Sequence, residues 1–333
     1  MSDNNTPQPR RWYQALGPGL ITACVVIGPG SILTSSKVGA SQGYGMSWVV
    51  VTAVVFMMTF TMMASRLGVV ARESPGKILT NSAGRWLAVL IGLSVFFIAS
   101  AFQFGNNLGV HTAFNAYIKF DWIVVIFNAA AIAFLFLFKN LYKALEKLMM
   151  GFVGLMLLAF AANLIFAKPD LIEWAKGFVP GSQTELDITV LGLVGTTFVI
   201  AAAYFQIYLV RQKNIEREDL SASLVDSRVG ACLMALITLM IMGTAASVLR
   251  GKELADAGAV ATQLEPLFGS WGKGLFCLGL FSAAYSSFLI NSMIGGFVLS
   301  DGLGLGSDPE DKWTRYMTTV VLLTGMGVAL YVI

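Results

Sequence analysis

The stretch Gly28-Pro29-Gly30-Ser31 decides how this chain is read. It lies inside a long apolar run, from about Trp12 to Gln42. A helix that crosses a bilayer must satisfy its backbone polar groups internally. Pro29 has no N–H, and its ring clashes with the preceding turn. The flanking glycines weaken the helix further. One apolar segment is therefore predicted as two half-helices meeting near the bilayer midplane. Backbone groups freed by such a break are tolerated only against protein or beside a water-filled cavity. In transporters that cavity is the usual substrate site. A plain Gly-Pro kink in a structural helix accounts for the same four residues, and both readings stand at this point.

The surrounding composition is that of an all-α integral membrane protein. Of 333 residues, 56% are hydrophobic and 12% charged, whereas soluble domains carry about 25% charge. A formal net charge of +3 is too small to indicate a nucleic-acid partner. Residues 1–11 are polar and end in Arg10-Arg11. They resemble the start of a signal peptide, but the apolar run behind them is too long for its apolar core, so they are read as a cytoplasmic tail. Cys24, Cys232 and Cys277 are scattered among apolar segments and read as reduced, buried thiols rather than metal ligands.

Segments of about 20 apolar residues are long enough to span a bilayer. Nine are predicted, at about 13–42, 45–67, 86–107, 121–138, 142–166, 187–210, 223–249, 271–299 and 314–333. Together, 12–333 form one transmembrane domain, with a first repeat over 12–166 and a partial second repeat over 187–333. The ninth segment runs to Ile333 with no polar tail, so the chain is expected to be truncated after that span. Of the 22 basic residues, Lys119, Lys168, Lys176, Arg250, Lys252 and Lys273 fall in one set of loops and Lys37 inside the first span. The other fifteen, Arg10 and Arg11 among them, lie on the side of the N-terminus. That bias predicts a cytoplasmic N-terminus in a plasma or inner membrane. Two outer loops, 167–186 and 250–270, are long enough for short surface helices, one started by Pro169 and one over Gly251 to Gly269.

The sixth span is the second informative stretch. If spans 1–5 and the following spans form inverted repeats, it is the mate of the first and should also be interrupted. Its middle carries Ala201, Ala202 and Ala203, followed by Tyr204, Gln206 and Tyr208. Alanine is the best helix former, so a close helix contact through small residues stands beside a break as a reading.

Several separated motifs resemble the Nramp family of divalent metal transporters. Leu16-Gly17-Pro18-Gly19-Leu20, Gly28-Pro29-Gly30-Ser31 and Gly39-Ala40-Ser41-Gln42-Gly43-Tyr44-Gly45 are similar to its first span. Ser65-Arg66-Leu67-Gly68-Val69-Val70-Ala71-Arg72 is similar to the end of its second. Gly279 to Ser287 and Gly295 to Gly302 are similar to its eighth. The resemblance implies a LeuT-type inverted-repeat fold with broken first and sixth helices around the substrate. The second repeat is expected to be incomplete, without the tenth span that contributes to the family's site. It also implies transport of divalent metal cations, magnesium or manganese among them, by alternating access.

The chain departs from the family where the chemistry should lie. The family motif Asp-Pro-Gly-Asn has Gly28 in place of its Asp and Ser31 in place of its Asn. Alignment on Tyr208 sets Ala203, Tyr204 and Phe205 against the family's Met-Pro-His. A second acid falls at Ser35, and an expected third-span acid is replaced in the stretch Gln103 to Asn107. The thioether that favours transition metals and the carboxylate that would neutralise a divalent ion are both missing, and the family's proton route is in doubt. A neutral, oxygen-rich pocket is expected instead. Gly28, Pro29, Gly30, Ser31, Ile200, Ala203, Tyr204 and Gln206 are its candidate substrate-binding residues. Gly28, Ser31 and Ile200 are the candidate metal contacts through unpaired carbonyls and a hydroxyl. Hard cations accept such oxygens, and magnesium keeps much of its water. An uncharged or zwitterionic solute, or a monovalent cation, fits a neutral pocket at least as well.

Other polar residues within spans are few. Ser282, Ser286 and Asn291 of the eighth span are candidates for a second ion site, since that helix helps form a sodium site in LeuT-type transporters. Hydroxyls bonding back to their own helix are the alternative. Lys37 either snorkels outward or faces the cavity. Asn128 and Asn163 read as glue between helices. The lone His111, with no carboxylate beside it in sequence, makes no metal site. There is no Ser/His/Asp set, no phosphate loop and no His/Cys cluster, so neither an enzyme nor an ATP-driven pump is expected, and no cofactor. Beside metal transport, two readings remain: an ion-coupled symporter of a small organic solute, and a non-transporting receptor or partner protein. The partners expected are the cation or solute and the lipid bilayer, and the sequence does not fix an oligomeric state.

Overall fold

The computed structural model describes residues 17–71, 73–181 and 187–333. The expected tail over 1–11 lies outside them. The described residues are helical, with no strand among them. Helices α1 (Pro18–Val26) and α2 (Pro29–Gln42) form the first apolar segment, bent by 60° at the two residues between them. The chain continues through α3 (Ser47–Val70), α4 (Pro75–Ala83), α5 (Arg85–Asn115), α6 (Ile123–Leu137) and α7 (Leu141–Ala167). It then runs through α8 (Leu171–Lys176), α9 (Ile188–Thr197), α10 (Ile200–Gln212), α11 (Leu220–Val248), α12 (Ala257–Leu303) and α13 (Lys312–Val332).

Among the described residues, 7 helices are long and apolar enough to cross a membrane, or 8 if the bent pair counts as one span. The shorter apolar helix α6, 15 residues long, occupies the fourth predicted segment. All nine predicted segments are thus helical over the residues described. The loop helices begin where side chains cap them. Asp170 accepts from the N–H groups of Ile172 and Glu173, and Asp256 from that of Ala259. Each offsets backbone donors that a helix start leaves unpaired. Asp170, not Pro169, is therefore the cap of α8. The second surface helix starts at Ala257 rather than Gly251 and runs into the eighth span. Gly269, at φ 68° and ψ −170°, separates 257–268 from 270–303. One short helix, α4, was not expected. Ser74 caps it, and the carboxylate of Asp301 accepts from Ser74 Oγ and from the Gly76 N–H at 2.7 Å.

The core sits where α12 packs along α5, with α1 and α2 between α12 and α11. Small residues bring these backbones together. A Cβ on Gly109 would lie 2.7 Å from the ring of Pro29 and 2.9 Å from Ala284, so α5 meets both the break and α12 at a single glycine.

A cavity at the break of the first span

The break forms as its chemistry requires. Gly28 is extended, at φ −108° and ψ 179°, and Pro29 is the first residue of α2, where its missing N–H would have had no helical partner. The break exposes fewer backbone acceptors than expected. Gly28 O accepts from the Ile32 N–H at 3.0 Å, as the first bond of α2. At the end of α1, Val26 O accepts from Gly28 N at 3.0 Å. The two preceding carbonyls are met by hydroxyls of α12: Ser286 Oγ lies 3.4 Å from Cys24 O, and Ser287 Oγ donates to Val25 O at 3.1 Å. The expectation of an unpaired Gly28 carbonyl is corrected, because α2 begins early enough to use it.

The sixth segment is interrupted too, at a different place. Phe198 and Val199 are non-helical (ψ 82° and 95°) between α9 and α10, the second of them extended. The alanines and Tyr204 to Gln206 are helical, which corrects the expected break over Ala201–Gln206. Three consecutive alanines hold a helix, so the interruption falls on the β-branched and aromatic residues before them. This segment still counts as one span of 25 residues, unlike the first.

A cavity of about 310 Å³ lies against both interruptions. Gly28, Pro29, Gly30 and Ser31 form one side, and Thr196, Val199 and Ala201 another. Asn106 of α5 and Ser287 and Asn291 of α12 supply further polar groups, with Val95, Ile98 and Phe102 among the apolar ones. None of the described lining residues carries a charge or a sulfur atom.

Of the residues singled out in the sequence, the structure brings Gly28 to Ser31 and Asn291 to this cavity and leaves the others outside it. Ile200 is 60% exposed on the outer surface of its helix, and Ala203 is buried in the core. Tyr204 sets its ring edge-to-face on Tyr208, with centroids 6.0 Å apart. Gln206 is fully buried in a separate network: its Oε1 accepts from Thr22 Oγ1 at 2.5 Å and its Nε2 donates to Ser65 Oγ at 3.1 Å. Helical periodicity explains these corrections. With the break at 198–199, Ala201 faces the cavity; Ala203 and Gln206 lie about 200° and 140° round the helix from it, and Tyr204 shares its face but sits one turn further on.

The second ion site does not assemble as expected. Ser282 donates to Leu278 O of its own helix, Ser286 lies against Ala283 O and Cys24 O, and only Asn291 of the three lines the cavity. Lys37 lines a different cavity with Ser41, Asp187, Thr189 and Glu253, away from the break. His111 does have a carboxylate neighbour, Asp121, at 3.1 Å. Even so, no group of three His, Cys, Asp or Glu side chains placed to hold a metal ion occurs among the described residues. Asn128 Nδ2 donates to Asn107 Oδ1 at 2.7 Å and joins α6 to α5, whereas Asn163 Nδ2 bonds to Ala159 O of its own helix.

The residues that sequence reading left out of the pocket are Asn106, Ser287, Thr196, Val199 and Ala201. Asn106 carried a signal, since three amides within five residues of an apolar span are costly unless they meet partners. Ser287 carried none beyond its neighbour Ser286, because a one-residue step is a turn of 100° that only the helix's seating decides.

A helical membrane protein with an interrupted first span wrapped around a cavity has the architecture of a LeuT-type inverted-repeat fold. The comparison with solved structures agrees. The manganese transporter of Eremococcus coleocola, in complex with an aromatic bis-isothiourea substituted compound, superposes with a TM-score of 0.83 at 19% identity. The match covers 98% of this chain and 73% of that one. Residues 19–333 match the Natural resistance-associated macrophage protein-like family, Nramp, and the chain belongs to it. Among curated relatives, the divalent metal cation transporter MntH of Pectobacterium carotovorum subsp. carotovorum (strain PC1) is 25% identical over 325 residues. That alignment takes in 93% of this chain and 78% of that protein. The protein of the same name from Deinococcus radiodurans is 25% identical over 334 residues, covering 95% and 76%.

Proposed function

We propose that this protein carries divalent metal cations across a membrane by alternating access around the cavity at Gly28–Ser31. Family membership and the names of its relatives supply the substrate class. The observation that carries the reading is geometric. The cavity lies at the two interrupted segments, where backbone can rearrange without breaking continuous helices. The surrounding membrane is the plasma or inner membrane with the N-terminus cytoplasmic, a reading supported by the distribution of basic residues. The direction of transport is set by an ion gradient or by the cation's own gradient.

The site is neutral, which separates it from a site that grips a bare divalent ion. Without a carboxylate, a divalent ion is held by oxygen dipoles and by the water it keeps, which suits magnesium or manganese better than softer metals. The apolar wall formed by Val95, Ile98 and Phe102 favours a second reading, symport of a small organic solute. Uptake into proteoliposomes decides between them. Saturable entry of Mn²⁺ or Mg²⁺ is expected. Sodium-dependent entry of a zwitterionic solute without any divalent flux would replace the first reading with the second.

A further inference from the structure

The hydrogen bonds behind the cavity fix which atoms its polar wall presents. They start at a backbone carbonyl, which only accepts. Ala99 O receives Asn291 Nδ2 at 2.7 Å, and the same nitrogen lies 3.3 Å from Gln103 Oε1. Gln103 Oε1 also accepts from Asn106 Nδ2 at 3.3 Å. Because a carbonyl cannot donate, Asn291 must turn its NH₂ toward Ala99. Gln103 must then present its oxygen to that NH₂, and Asn106 must present its own NH₂ to Gln103. The orientation of all three amides, ambiguous for an isolated side chain, follows from one backbone atom.

What this leaves over is a set of acceptors. Neither Asn106 Oδ1 nor Asn291 Oδ1 takes part in these bonds. Asn106 Oδ1 lies 3.6 Å from where a Cβ on Gly28 would stand, beside the break. Ser287 commits its single proton to Val25 O and has only lone pairs to offer. Asn106, Ser287 and Asn291 are 2%, 4% and 7% exposed and all line the cavity. The arrangement has a cost, since Gln103 Nε2 is buried without a partner. Turning the amide over would set Nε2 against two NH₂ groups, which is worse.

We infer that Asn106 Oδ1, Asn291 Oδ1 and Ser287 Oγ are the oxygen ligands of the transported cation or of its water shell, and that Gln103 is the positioning residue that aims the two amide oxygens. This rests on the reading that the substrate is a divalent cation. It adds the residues and the preference: three neutral, hard oxygens select cations that tolerate oxygen ligands and retained water, and disfavour soft ions that seek sulfur. The ligands come from α5 and α12, which pack along each other, rather than from the helix break alone.

The experiment is Mn²⁺ uptake into proteoliposomes by the whole chain and its variants. Asn106→Ala and Asn291→Ala are each expected to raise the KM for Mn²⁺ by about tenfold or more, the range seen when groups that hold metal ligands are lost. Gln103→Leu should do the same by freeing both amides. Gln103→Glu keeps an acceptor oxygen at that position in either protonation state and should keep a near-wild-type KM, whereas a space-filling role would let Leu, of similar volume, keep it too. Asn106→Cys should shift preference from Mn²⁺ toward Cd²⁺. If the wild type carries Mn²⁺ and both Asn106→Ala and Asn291→Ala keep its KM, these ligands are wrong while the transport reading stands. If Gln103→Leu does not fold, the two asparagine variants decide alone. A wild type that carries neither Mn²⁺ nor Mg²⁺ overturns both readings.

Discussion

Thr22 Oγ1 donates to Gln206 Oε1 at 2.5 Å, joining the two interrupted segments directly. Gln206 also reaches Ser65 of α3 at 3.1 Å, and Ser65 lies 2.9 Å from Ser227 of α11. Four helices thus meet at one fully buried amide. Gln206→Leu removes both ends of that amide and leaves the buried Thr22 hydroxyl without the partner it has here, while Ser65 and Ser227 keep each other. It should lower stability by about 1–3 kcal/mol, the usual cost of stranding a buried polar group. Thermal unfolding in detergent measures this, and an unchanged midpoint would show that the network holds nothing together.

Asp226 of α11 performs a related task at the start of the first span. Its two carboxylate oxygens accept from the N–H groups of Gly17 at 2.9 Å and Gly19 at 2.6 Å. The negative charge also sits at the positive end of α1. Asp226→Ala is expected to cost about 1–3 kcal/mol by removing charged hydrogen bonds and the cap together. Asp226→Asn keeps one acceptor and should cost less. Hydrogen exchange at Gly19 and Leu20 reports the loss locally, and equal protection in wild type and Asp226→Ala would refute the capping role.

Gly109 and Gly105 make a paired test of packing at the break. A Cβ at Gly109 meets the Pro29 ring and Ala284 below 3.0 Å, whereas one at Gly105 meets nothing within 4 Å. Gly109→Ala should destabilise by about 1–3 kcal/mol through overpacking, with Gly105→Ala close to neutral in stability. The comparison is made on thermal midpoints of the two variants, and equal shifts would contradict the close approach of α5 to Pro29.

The missing ligands of the family motif suggest a gain-of-binding test. Gly28 has an ordinary backbone conformation. A side chain there would approach Ser287 Oγ at 3.1 Å, a contact relieved by a small shift of that side chain. Gly28→Asp should therefore introduce a carboxylate beside Asn106 and tighten Mn²⁺ binding by about tenfold or more, read by calorimetry. A thioether belongs at Ala201, which lines the cavity, and not at Ala203, which is buried outside it. In the Gly28→Asp background, Ala201→Met should raise Cd²⁺ affinity and Ala203→Met should not. The opposite ranking would place the sixth-segment site where sequence alignment alone puts it.

Much of the fold was legible because it rests on local rules. Apolar length defined nine helical segments, Pro29 between glycines defined the first break, and separated motifs pointed to the family. The site was legible only in part. The 60° bend at Gly28–Pro29 follows from a missing N–H and a ring clash, which any chain with those residues carries with it. The partners of that break do not follow in the same way. Whether Ser286 or Ser287 faces it, whether Gln206 enters the cavity or ties four helices together, and which ends of Gln103 and Asn291 turn inward all depend on how α5, α10 and α12 are rotated against it. Those rotations are set by close contacts such as Gly109 on Pro29 and by single carbonyls such as Ala99 O, between residues far apart in the chain. The sequence by itself determined that a break exists and that its charged ligand is absent. Only the tertiary structure decided which neutral oxygens stand in the space, because one residue's step along a helix rotates a side chain by about 100°.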